Sequence, residues 1–257
     1  MAPAVSDGTD EAARTELREH VLGHLWRSYP HHCVVLTDPV TRGAIDIGID
    51  RAAHHGFEDP VEVAPYVGLM GFLGSHFDQD VQLPWAAELL ANSAELSRGE
   101  TMARLLEETS RRMQPVVGAQ GEYYRRALAW VSSRTYEKLA ADYDDTDEGL
   151  TNLLRHVHRR KFDVLNEATV IQLVRTARTC AQHYGLASAP GTALYLGLMF
   201  LLGHAIDRDP FHPWVAAKLR SLSSEDPATR AQSLHAETLN MLQRFTRLSD
   251  LTRRDQP

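Results

Sequence analysis

Two short segments hold the residue types best suited to chemistry. GSHFDQDVQLPW (74–85) and GHAIDRDPFHPW (203–214) each set a histidine and two aspartates just after a glycine. Mixtures of imidazole and carboxylate suit Zn, Mn or Fe. The candidate residues are His76, Asp78, Asp80 and Trp85 in the first segment, and His204, Asp207, Asp209 and Trp214 in the second. Aligned residue by residue, the aspartates and tryptophans coincide but the histidines do not: His76 faces Ala205 and His204 faces Ser75. A metal site built by duplication keeps equivalent ligands. A structural reading is therefore favoured, in which an Asp of each loop caps backbone N–H groups at a helix start. The proline then opens the next helix and the tryptophan plugs the junction between helices. A partner-binding loop is the second reading, and a metal or catalytic site the third.

Other reactive residues are weaker candidates. His20 and His24 stand four apart on one helix face, half of a metal site with no His-Glu motif or cysteine pair beside it. His156 and His158 lie in the basic run RHVHRRK and read as surface, while His54 and His183 precede helix-ending glycines and suit the last turn of a helix. Cys33 and Cys180 occupy unmatched positions, and no nucleophile elbow, phosphate loop or dinucleotide fingerprint is present. The run DYDDTDE (142–148) lacks the glycine and the final glutamate of a calcium loop and reads as a solvated linker or an anionic patch.

The elements that position these residues are set by an internal repeat. At an offset of 129 residues, without gaps, AxYxGLMxxLGxxxDxDxxxPWxAxxL appears at 64–90 and again at 193–219, with 13 identities in 27 positions. From 35 to 109 the count is 21 in 75, so the register extends beyond the motif. β alternation is absent and Ala, Leu, Glu and Arg dominate, which predicts helices. Asp38-Pro39, Asp59-Pro60 with Glu62, Ser97 with Glu100, Asn166 and Asp226-Pro227 are start signals; Gly56 and Gly185 are stops. Further helices are expected near 10–28, 118–141 and 147–160. The expectation is an all-α fold with no sheet, about eleven helices, and two tandem four- to five-helix units related by a pseudo-twofold. The units are 9–114 and 146–248, with a connecting helix and acidic linker at 115–145 and disordered ends at 1–8 and 249–257. The stretches around Tyr66–Leu73 and Leu194–Leu202 are apolar nearly all round and should be the centres of two cores, with Gly68/Gly197 and Gly74/Gly203 marking close backbone approach.

Composition excludes several classes. The chain has 257 residues, 34 acids against 27 bases and a net charge of −7, which disfavours nucleic-acid binding. Two cysteines cannot staple a small scaffold. The polar N-terminus is no signal peptide, and ALYLGLMFLLG is too short to span a membrane. A cytoplasmic protein without membrane insertion is expected.

A helix ending in Gly, then [FI]-D-x-D and P-W, resembles a motif of α-helical proteins encoded beside spike-tip and effector genes of bacterial type VI and related contractile injection systems. Residues 68–85 and 197–214 carry the resemblance. It implies no catalytic residues and no cofactor, but an accessory role as immunity protein, effector chaperone or adaptor, with a secreted effector or spike component as protein partner. The expected function is thus non-enzymatic protein binding. The alternatives are a metal-dependent enzyme or metal sensor using the His/Asp loops, and a sensor of small apolar ligands held in an all-α core.

Overall fold

The computed structural model describes residues 6–92, 95–221 and 226–254. Among these, every regular element is helical: fourteen α-helices and one short 3-10 turn, with no strand. The first half comprises α1 (Ser6–Ser28), α2 (Pro30–Leu36), α3 (Asp38–His54), α4 (Pro60–Leu73), the 3-10 turn (Phe77–Gln79), α5 (Pro84–Ala91) and α6 (Arg98–Val117). Then come α7 (Glu122–Ser132), α8 (Tyr136–Asp142), α9 (Asp147–Val157), α10 (Arg159–Asp163), α11 (Glu167–His183), α12 (Ala189–Leu202), α13 (Pro213–Ser221) and α14 (Pro227–Arg254). None of the described helices is long and apolar enough to cross a membrane.

The helix count exceeds the expected eleven because two expected helices are each broken in two and because α2 was not expected. The stretch expected as one helix over 118–141 is α7 and α8: Gly118 and Gly121, both with positive φ, delay its start. Thr135 then caps a new helix, its side chain accepting from Lys138 N at 3.3 Å. The 147–160 helix divides at His158, whose extended backbone and Nδ1, accepting from Lys161 N at 3.2 Å, start α10. Helix also reaches into both ends expected to be disordered, since α1 begins at Ser6 and α14 runs to Arg254. The rest of those ends, 1–5 and 255–257, lies outside the described residues.

Local cap chemistry explains most other boundaries. Ser97 and Glu100 form a reciprocal capping box, Asn166 Oδ1 accepts from Thr169 N at 2.8 Å, and Asp226 accepts from the N–H groups of Ala228 and Thr229. Asp38 departs from expectation: Thr37 holds the N-cap position of α3 without a side-chain bond, and Asp38 accepts instead from Arg42 Nε.

Shifted by 129 residues, the bounds of α3 and α4 fall on those of α11 and α12, and the first residues of α5 and α6 fall on those of α13 and α14. The same shift carries α1 onto 135–157, where the chain is broken into α8 and α9. Each half packs its own apolar core. One gathers Ile45, Phe57, Tyr66, Met70 and Phe77 around α4; the other gathers Leu150, Leu154, Leu173, Tyr195 and Phe200 around α12. Each such side chain contributes about 1.5–3 kcal/mol when fully buried. Two residues cross over: Phe211, just past the second loop, belongs to the first core, where it faces Gly71 of α4, and Val81 of the first loop packs against the second core.

Candidate functional site

The two loops meet where the central helices end. Gly74 and Gly203 close α4 and α12 with φ of 101° and 110°, a region open to glycine at little cost. A Cβ on Gly74 would stand 2.7 Å from the Leu202 carbonyl oxygen and 3.1 Å from Gly203 Cα. Only glycine lets the two backbones touch there.

From this contact the aspartates reach across. Asp80 Oδ2 accepts from His204 N at 2.9 Å, while Asp209 Oδ2 accepts from Ser75 N at 2.9 Å. Their other oxygens stay local: Asp80 Oδ1 accepts from Gln82 N at 2.9 Å, and Asp209 Oδ1 from Phe211 N at 2.8 Å. All four bonds recur at the 129-residue offset with the halves exchanged, the pattern that a twofold axis between the loops produces. Each aspartate is 3% exposed. Burial opposes the charge of both. It is outweighed by His204 and the Gln82 N–H at Asp80, and by His212 and the Ser75 and Phe211 N–H groups at Asp209, so both carboxyls lie below their usual range. The expected role is thereby corrected. These aspartates do bond backbone, but they tie one loop to the other and do not cap the following helix. Leu83 holds the N-cap position of α5, without a side-chain bond.

Asp78 and Asp207 have different partners. Asp78 accepts from Arg51 and from His55 Nε2, the latter at 2.8 Å. Burial disfavours its charge, but the His55 bond and the Arg51 guanidinium prevail and keep it low. Asp207 accepts instead from Tyr184 Oη at 2.6 Å. Tyr184 is the counterpart of His55 at the repeat offset, and Cys180 that of Arg51. One half thus anchors its loop with an ion pair and the other with a neutral phenol.

His76 and His204 stand edge to face, ring centroids 6.2 Å apart. His76 Nδ1 lies 2.9 Å from Ser75 Oγ. Burial, with the cationic Arg51 and Arg208 nearby, pushes the His76 imidazole down to about 4. No group of three or more His, Cys, Asp or Glu side chains among the described residues is placed to hold a metal ion. The oxygens of Asp80 and Asp209 are also already engaged by N–H donors.

Both tryptophans pack against the core of their own half. Trp85 is half-buried under the Arg112 guanidinium, 5.5 Å from its ring centre. Trp214, also half-buried, lines a cavity, and its Nε1 is buried without a hydrogen-bond partner.

That cavity was not legible among the sequence candidates. It has a volume of about 370 Å³ and lies mostly in the second half between α7, α8, α9, α12, α13 and α14, with His32 of α2 and Val117 of α6 completing its lining. Leu and Val side chains of α7, α8, α9 and α12 line it, with Met241 and Phe245 of α14. Gly197 is on its surface, and a Cβ added there would meet nothing within 4 Å. The expected close backbone approach is therefore absent at Gly197. Its counterpart Gly68 is packed, with His24 and Tyr29 at 3.3 and 3.4 Å from such a Cβ. The one sequence signal was a glycine midway along a helix that is otherwise almost wholly apolar.

No family model, curated protein or solved structure matches this chain.

Proposed function

We propose that the protein binds a small apolar ligand in the cavity of its second half, and that it works by binding and not by turnover. The observation that carries this reading is the 370 Å³ apolar cavity with Gly197 open towards it. Ligand sites are typically concave, largely apolar and roughly 300–1,000 Å³ in volume. By contrast, the void beside Gly71 and Phe211 in the first half is about 10 Å³, smaller than one water. The His/Asp loops join the halves and hold α12, one wall of the cavity, in place.

The test is a fluorescence titration with the neutral probe N-phenyl-1-naphthylamine. Saturable one-site binding is expected, with loss of that binding in Gly197→Phe, whose ring projects into the space. Circular dichroism of the variant should be unchanged. No binding to the parent protein, or equal binding to a folded Gly197→Phe, would overturn the proposal.

A further inference from the structure

The charged side chains around this cavity are of one sign. Among the described residues no Asp or Glu lines it; Arg125 and Arg134 do, beside the neutral polar groups of Tyr124, Trp130, Trp214, Thr238 and three histidines. Two of these carry buried N–H groups with no acceptor: Arg134 Nε and Trp214 Nε1. Both groups can only donate. Leaving such donors buried and unmatched is costly.

Arg134 is well placed to receive charge. Its guanidinium lies over the Trp130 ring at 4.6 Å, and its carbonyl accepts from His235 Nε2 at 3.0 Å, which ties its backbone to α14. Its single acidic partner is Asp142, 3.3 Å from Nη1 and with a side chain 47% exposed. A solvated, long contact of that kind neutralises little of the charge. Arg125, exposed at the rim, donates to the Gln120 carbonyl.

The cavity has length along α14. Along α14 its lining runs from His235 to Phe245, ten residues or about 15 Å at 1.5 Å per residue. At about 30 Å³ per non-hydrogen atom, the liquid-water figure, the volume takes roughly a dozen such atoms. An extended chain fits this shape better than a compact ring system.

Resting on the proposed ligand site, we infer that the ligand is an amphipathic anion: a medium-chain monocarboxylate whose tail lies along α12 and α14 and whose carboxylate meets Arg134. Trp214 supplies a further donor on the same cavity. A cationic amphiphile would find no acid in the lining to receive it.

Titration calorimetry with decanoate, decan-1-ol and decylamine on the full chain decides this. Decanoate should bind at least tenfold more tightly than decan-1-ol, and decylamine more weakly than either. In Arg134→Met the decanoate advantage should vanish while decan-1-ol binding persists. In Trp214→Phe, which keeps a ring and removes the N–H, decanoate should weaken more than decan-1-ol. Equal affinity of the parent protein for decanoate and decan-1-ol, or a preference for decylamine, would overturn the anion assignment and leave the apolar site standing. Binding of none of the three would overturn both. The parent ratio is informative even if Arg134→Met does not fold.

Discussion

The two halves share a frame and differ in what fills it. In the first, α1 is one unbroken helix and sets His24 and Tyr29 against Gly68. In the second, the corresponding stretch breaks between Asp142 and Asp147. The counterparts of those two residues are Leu153 and His158, and His158 is turned to cap α10. With α7 and α8 forming an outer wall, a packed position becomes the cavity at Gly197. Helix bounds alone therefore do not decide whether a core is filled. A few side chains and one broken helix do.

The largest effect should come from the part the halves share. Asp80→Ala and Asp209→Ala each remove a buried carboxylate that holds both loops, and each should cost about 3–4 kcal/mol. Urea denaturation measures this, and similar losses at the two sites are expected if the exchange is symmetric. Asparagine should rescue poorly. Both oxygens of each aspartate accept from N–H groups, so an amide NH₂ must face a donor, at about 2–3 kcal/mol. A loss below about 1 kcal/mol in either alanine variant would break the equivalence.

A pH effect separates the halves next. His158, 4% exposed, is pushed down to about 4, mainly by burial and then by Lys161, where the first half has Tyr29. His76 is lowered to about 4 as well. Both stay neutral in the fold while unfolded imidazoles, near 6.5, take up protons. The unfolded state then binds more protons, so stability is full above about pH 6.5 and falls as the pH drops towards 4. The His158 share is on the order of 3 kcal/mol. Denaturation midpoints across this window should flatten by about one proton in His158→Gln; an unchanged slope would refute the assignment.

The paired glycines give a smaller difference of opposite sign. Gly68→Leu should cost about 1–3 kcal/mol by overpacking against His24 and Tyr29. Gly197→Leu should be neutral or gain up to about 1 kcal/mol from helix propensity. Equal losses in thermal melts would mean that Gly197 is packed after all.

The smallest change concerns the loop anchors. Tyr184→Phe removes the bond to Asp207 and should cost about 1 kcal/mol. His55→Phe, which breaks a bond to Asp78, buried where Asp207 is only half-buried, should cost more, about 1.5–3 kcal/mol. A reversed order in urea melts would show that the two carboxylates are not held as described.

Much of the frame was legible because its signals are local. Ser97, Asn166 and Asp226 bond N–H groups two or three residues away, and a cap of that kind is written in adjacent letters. The reciprocal clamp was not legible, since Asp80 and its donor, the His204 N–H, lie 124 residues apart. The repeat marked the aspartates as equivalent, but nothing in one copy says that each serves the other. The break at His158 was missed because a histidine is a rare cap. The cavity was missed because its walls come from segments that only packing brings together.

The reciprocal clamp bears on how the halves could diverge. Two identical chains meeting through these loops would make the same four bonds, but every substitution would then strike both copies. Carried on one chain, the halves can change singly: Tyr29 beside Gly68 need not be matched at His158, and Phe211 need not be matched at Gln82. One half can keep a dense interior that maintains the joint, while the other trades packing for an opening. Joining the halves releases their interiors from symmetry while the contact between them keeps it.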